Sequence, residues 1–243
     1  MQYMTREERF LNVTSIHNAR DLGGYETQGG RYTKAHKYVR CAGMSNLTEV
    51  DRQYLLDYGI KAVIDLRSAY EKKTSPDVIA DDEDFDYYDI DFFGNKDAVL
   101  IPKGFDFKDM GDLYCLLLDN AKDKIKEIFR IFLKYPYDGV IFHCSAGKDR
   151  TGVTAALLLD LAGCHEYDIV KDYSESYENN EAINEELEKN LEPDQARYLY
   201  SEPLYMMKML NHIRENYGSA KEYLALLRFS EDEIDQLIED FTI

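Results

Sequence analysis

The sequence predicts an α/β fold: a central mixed, mainly parallel sheet flanked by helices, continued by a helical C-terminal half. Two observations carry this reading. Before Gly163, short apolar runs rich in β-branched residues alternate with segments of helical periodicity. After Gly163, helical patterns follow one another and no clear strand remains.

In chain order, Tyr38 to Cys41 reads as a strand. Leu47 to Tyr58 reads as a helix, with Ser45 or Asn46 as cap and Gly59 as terminator. Lys61 to Leu66 is a buried strand, and Phe85 to Phe93 another strand or its exit loop. Ala121 to Tyr135 carries Ile125, Ile128, Phe129, Ile131 and Phe132 on helical spacing. Gly139 to His143 is the next buried strand, and Arg150 to Leu161 an apolar helix ended by Gly163. This βαβ…αβα order implies a parallel or mixed sheet with helices on both faces. Tyr167 to Asn179, Asn184 to Asn190, Pro203 to Tyr217, Ala220 to Arg228 and Ser230 to Phe241 are read as helices. Ser230 and Glu233 stand at capping-box spacing. The tail either completes the helical layer or lends part of itself to a cap over a site. Residues 1–243 are expected to form a single domain.

The composition narrows the function classes. Hydrophobic residues make up 44% and charged residues 31% of 243, enough for a real core. No stretch approaches the roughly 20 apolar residues of a membrane helix, so no stable membrane insertion is expected. Met1 to Phe10 is polar and has no apolar core of a secretory signal, so a cytoplasmic location is expected. The formal net charge of −18 disfavours nucleic acid and anionic membranes as partners. An anionic substrate would need a local positive site. Cys41, Cys115, Cys144 and Cys164 are widely spaced and show no metal-ligand rhythm, so reduced thiols are expected. Oligomeric state is not legible.

The chemistry is concentrated in His143-Cys-Ser-Ala-Gly-Lys-Asp-Arg150, followed by Thr151-Gly152. A buried strand feeds this loop and an apolar helix leaves it. A thiol is a weak nucleophile until ionised, with an ordinary pKa of about 8.5. At a helix N-terminus, ringed by backbone N–H groups, the thiolate form of Cys144 is favoured. The amides of Ser145, Ala146, Gly147, Lys148, Asp149 and Arg150 can curl into a nest for phosphate oxygens. Five intervening residues return Arg150 beside Cys144, where a planar guanidinium suits two phosphate oxygens. Thr151 can hydrogen-bond the sulfur, and His143 braces the loop. Such a site needs no metal or other cofactor, because Arg150 and the nest neutralise the phosphate.

This loop is the HCxxGxxR(S/T) signature, and the chain resembles the protein tyrosine phosphatase superfamily. It is most similar to the bacterial tyrosine and phosphoinositide phosphatases whose loop reads HCxAGKDRTG. The resemblance extends to Asn18-Ala-Arg-Asp-Leu-Gly-Gly-Tyr25, to Tyr38-Val-Arg40 with Leu47-Thr48 and Asp51, and to Val63–Ser68 with Glu71. It also covers Tyr217–Tyr223 and Ser230–Leu237, and it departs at Cys41, where a smaller residue is more usual. It implies the phosphatase fold, a phosphocysteine intermediate on Cys144, and a phosphotyrosine protein or phosphoinositide as substrate. It also implies a helical lid in some members, expected here at about 168–214.

The leaving group needs a proton. With no Trp in the chain, the usual WPD acid loop is absent. The resemblance points to Asp149. Asp65, at the end of the strand expected beside the catalytic one, and Asp91 are alternatives; Asp65 could instead be a structural partner for Arg67 or Arg20. Lys148, as a second cation, would favour multiply phosphorylated substrates. Two other functions stay open: a phytase-like inositol polyphosphatase and a non-catalytic phospho-ligand module.

Overall fold

The structure is a computed structural model that describes residues 4–92, 108–189, 191, 196 and 198–243. Its sheet has five strands: β1 (Arg20–Asp21), β2 (Tyr38–Cys41), β3 (Ile60–Asp65), β4 (Asp86–Asp89) and β5 (Gly139–His143). The order is β1-β2-β5-β3-β4. Only the β1–β2 pair is antiparallel among these strands; β2, β5, β3 and β4 run parallel. The mixed, mainly parallel sheet expected from the sequence is therefore present. β5 lies at its centre, and the loop that follows it opens at the carboxyl ends of the parallel strands, where open α/β sheets place ligands.

Pleating sorts the strand residues between two cores. Tyr38, Ala62, Ile64, Val140 and Phe142 enter the larger core, while Val39, Cys41, Val63 and Ile141 enter the smaller one. The smaller core is covered by α2 (Glu49–Tyr58) through Leu55. Thr48, not Ser45 or Asn46, caps α2 by accepting the amide of Asp51, and Gly59 ends it at φ 94°.

The larger core is covered by α4 (Met110–Asn120), α5 (Lys122–Phe132), α6 (Arg150–Leu161) and the C-terminal helices. On α5, Ile125, Ile128, Phe129, Ile131 and Phe132 are all buried. Each such side chain stabilises the fold by roughly 1.5–3 kcal/mol on transfer from water. The sequence reading passed over α4. Its stretch Leu113–Leu118 is apolar throughout, and a continuous run carries no helical period. It also passed over the short α1 (Arg6–Arg9) and α3 (Ala69–Thr74); α3 opens on a capping box between Ser68 and Glu71.

Beyond Gly163 come α7 (Glu166–Asn179), α8 (Glu181–Glu188), α9 (Pro203–Tyr217), α10 (Ala220–Leu226) and α11 (Glu231–Phe241). The Ser230–Glu233 capping box is formed. α7 packs on α6, and α9 packs on α4 and α7, so both belong to the helical layer. The expected ends at Phe93 and Asn190, and part of the expected lid, lie outside the described residues. Among the described residues no helix is long and apolar enough to cross a membrane.

Candidate active site

Cys144 follows β5 directly, and α6 begins at Arg150, so the chain itself forces a tight loop between strand and helix. Gly147 adopts φ +65°, and a Cβ there would lie 2.3 Å from the carbonyl oxygen of Cys41. Only glycine permits that approach.

The loop carbonyls are drawn outward. Asn18 Nδ2 donates to the carbonyls of Ala146 and Gly147 at 3.0 and 3.1 Å. Asn180 Nδ2 donates to Ala146 at 2.9 Å, and Arg40 Nη2 to Gly147 at 2.7 Å. The amides are left to the interior of the loop. Those of Ser145, Ala146, Gly147, Lys148 and Asp149 donate to no other protein group among the described residues. Backbone amides beside a buried sulfur are seldom left this way, and a run of them forms an oxyanion nest.

Cys144 is buried, with 1% of its surface exposed. Burial alone would push its thiol up. The Arg150 guanidinium, together with the hydroxyl and amide of Thr151, outweighs burial and holds the thiol below its ordinary range. The Thr151 hydroxyl is buried and has no other hydrogen-bond partner. Arg150 is gripped by Glu71, Nη1 to Oε2 at 2.7 Å and Nη2 to Oε1 at 2.8 Å. This fork-on-fork pair fixes the guanidinium plane beside the sulfur. Ser145 Oγ also donates to Glu71 Oε1. Despite its own burial, Glu71 is lowered to about 2, chiefly by Arg150.

Two buried ionic networks flank the loop. On the α7 side, Asp172 receives Arg20 Nε at 2.8 Å and also Arg40 Nη1, and Arg20 Nη2 reaches its carbonyl at 2.7 Å. Against the cost of burial, the two guanidinium groups hold Asp172 at about 2. On the α2 side, Cys41, His143 and Asp65 are register partners at the strand ends. His143 Nε2 lies 3.0 Å from Asp77 Oδ2 and its Nδ1 lies 3.2 Å from the Cys144 carbonyl. Arg67 Nη2 lies 2.8 Å from both Asp65 and Asp77. His143 is raised, because Asp65 and Asp77 outweigh desolvation. Asp65, Asp77 and His143 have ligand atoms close enough for a metal ion. The Arg67 guanidinium already supplies the cation there, so the cluster reads as an ion-pair network.

The structure brings Cys144, Arg150, Thr151, the loop amides and Asp149 together, and corrects two readings. Asp65 is fully buried and bound by the amide, Nε and Nη2 of Arg67 and by the Tyr87 hydroxyl, with His143 and Arg67 keeping its carboxyl lowered despite burial. A saturated carboxylate held in its ionised form is not built to donate a proton, so Asp65 is the structural partner of Arg67. Lys148 is not a cation for further phosphates. It is 4% exposed, and its Nζ donates to the carbonyls of Tyr198 and Tyr200 and lies 3.5 Å from Asp149 Oδ1. Asp91 follows the edge strand β4, two strands from β5. Sequence reasoning assigned no role to Asp77, Asp172, Asn180 or Tyr114, whose signal is spatial.

Fold and site together define an α/β protein that presents an ionisable thiol to an oxyanion nest. The chain matches the tyrosine phosphatase family over residues 11–243, and it belongs to that family. It is 34% identical to a tyrosine-protein phosphatase of Nostoc commune over 218 residues, covering 84% of this chain and 73% of the relative. It is 32% identical to a putative tyrosine-protein phosphatase of Cupriavidus necator over 182 residues, covering 72% of this chain and 66% of the relative. Among solved structures, P. aeruginosa TpbA, alone and as a variant in complex with pTyr, shares 12% identity at TM-scores of 0.33 and 0.34. Each match covers 74% of this chain and 89% or 90% of the TpbA chain, and at those scores it carries no further weight.

Proposed function

We propose that this chain dephosphorylates phosphotyrosine through a phosphocysteine intermediate on Cys144. The observation that carries the reading is the buried, acidified Cys144 thiol facing a run of unengaged loop amides. Two relatives named tyrosine-protein phosphatases support the substrate class.

In this mechanism the nest and Arg150 hold the phosphate oxygens, and the Cys144 thiolate attacks phosphorus. The ester P–O bond breaks, and the leaving oxygen takes a proton from Asp149. Water then attacks phosphorus, the P–S bond breaks, and the sulfur departs as thiolate, stabilised by Thr151. The proton from water returns to Asp149, and inorganic phosphate is released. Glu71 keeps the guanidinium in plane throughout. A helical lid drawn from the expected 168–214 stretch is supported by Lys148, whose Nζ ties the loop to the carbonyls of Tyr198 and Tyr200 within that stretch.

The phosphoinositide reading rests on the resemblance, and the Lys148 ammonium that would favour multiply phosphorylated substrates is occupied by backbone carbonyls. A substrate panel of phosphotyrosine peptide, phosphoserine peptide, phosphoinositides and phytate should therefore give the highest kcat/KM for phosphotyrosine. Cys144→Ser should reduce turnover to background. Acid quench of wild-type enzyme with labelled substrate should trap one phosphoryl group per chain, absent in the variant. Failure to trap it in wild type, or turnover persisting in the variant, would remove the covalent mechanism.

A further inference from the structure

We propose that Tyr114, on α4, is a positioning residue that orients Asp149 for proton donation through a buried two-tyrosine relay; this rests on the reading of Asp149 as the acid. Asp149 occupies the N-cap position of α6, yet its side chain makes no capping hydrogen bond. An aspartate there ordinarily accepts an amide of the first helical turn. Instead its Oδ1 accepts the Tyr114 hydroxyl at 2.6 Å. The Tyr114 oxygen lies 2.6 Å from the Tyr173 hydroxyl.

A phenol has one proton to give. Because that of Tyr114 goes to Asp149, Tyr173 must be the donor to Tyr114. The relay therefore runs in one direction, from Tyr173 to Tyr114 to Oδ1. Both rings are buried, at 0% and 1% exposure, and meet edge to face with centroids 5.6 Å apart. Burial, with the Asp149 charge behind it, pushes both phenols well above their ordinary range, so they stay neutral donors at any working pH. Lys148 Nζ, 3.5 Å from Oδ1, lies on the same oxygen.

The chemical consequence is an asymmetric carboxyl group. Oδ1 is committed to a donor, so the transferable proton resides on Oδ2. The side chain is 26% exposed, which leaves it in reach of a bound ester. A general acid acts only from hydrogen-bond distance of the leaving oxygen, so fixing one oxygen and the rotamer is how the other is aimed. The relay joins three elements far apart in sequence: α4, the loop and α7.

The test is a double-mutant cycle of Tyr114→Phe and Asp149→Asn, read as kcat on one aryl phosphate with a good leaving group and one with a poor one. Melting temperature and the rate of Cys144 alkylation report whether the loop is intact. Asp149→Asn should slow the poor leaving group by about 10²-fold and spare the good one. Tyr114→Phe should slow the poor leaving group by about tenfold, with the good one and KM little changed. In the Asp149→Asn background Tyr114→Phe should add nothing. Tyr173→Phe should show the same pattern more weakly. If Asp149→Asn is leaving-group dependent but Tyr114→Phe slows both substrates equally, or adds fully to Asp149→Asn, the positioning role is overturned and the acid stands. If Asp149→Asn slows both leaving groups equally, the acid assignment itself falls and takes the relay with it.

Discussion

The two ionic networks that flank the phosphate loop solve the same problem with opposite charge balance. On the α7 side, two guanidinium groups share one carboxylate, Arg20 and Arg40 on Asp172, all at 2% exposure or less. On the α2 side, two carboxylates, Asp65 and Asp77, share the Arg67 guanidinium, and His143 supplies the missing cation only when protonated. The first network leaves a fixed positive charge beneath the nest and grips the loop at the Gly147 carbonyl. The second is anionic until His143 binds a proton, and it touches the Cys144 carbonyl. The loop is thus held from one side by permanent charge and from the other by a group that titrates. A fixed cation beneath an anion site also explains how a chain of net charge −18 can present a locally positive pocket.

The largest expected effect comes from breaking the permanent side. Asp172→Ala strands two buried guanidinium groups, and removing one partner of a buried ionic network costs about 3–5 kcal/mol. The urea midpoint of unfolding should fall accordingly. Asp77→Ala should cost less, because Asp65 still holds the Arg67 guanidinium through three hydrogen bonds. Equal losses in the two variants would erase the distinction between the networks.

A smaller effect separates the networks by pH. His143 is raised above its ordinary value in the folded protein, first against burial by Asp65 and then by Asp77. Its contribution is thus fully present below about pH 6.5, the unfolded value, and is lost as pH rises through the folded value. The Asp172 network behaves otherwise. Its carboxyl, held at about 2, contributes above about pH 3.9 and loses that contribution only as pH falls toward about 2. Unfolding free energy measured across the neutral-to-alkaline range should decline in wild type, and the decline should be weaker in His143→Asn. An unchanged slope in that variant would show that His143 carries no proton-linked stability.

The smallest effect concerns chemistry on the titrating side. Asp65→Asn should weaken the fold without discriminating between good and poor leaving groups. Discrimination there would return Asp65 to the catalytic group.

Much of the fold was legible where a feature depends on consecutive residues. β2, β5, α6 and α9 fall where the patterns placed them, because strand alternation, helical spacing and caps are local. α4 escaped because Leu113–Leu118 has no period to read. The caps of α2 were mixed: Gly59 was evident because a residue without a Cβ enters the left-handed region freely, whereas choosing Thr48 over Ser45 or Asn46 needed the helix start. At the site, Cys144 and Arg150 were legible for the same local reason. Lys148 was misread, because its sequence position beside Asp149 does not reveal that Tyr198 and Tyr200 turn their carbonyls toward it.

The loop is a matter of consecutive residues: strand, thiol, glycine, arginine and helix follow one another, and the short-range geometry of the chain leaves them one way to fold. What holds that loop comes from chain packing. Asn18 meets Ala146 and Gly147 across 128 and 129 residues, Arg20 meets Asp172 across 152, and Tyr114 meets Asp149 across 35. Those encounters depend on strand order and on which helix covers which face. No spacing along the chain encodes them, because the energy that sets them is the burial of the two cores.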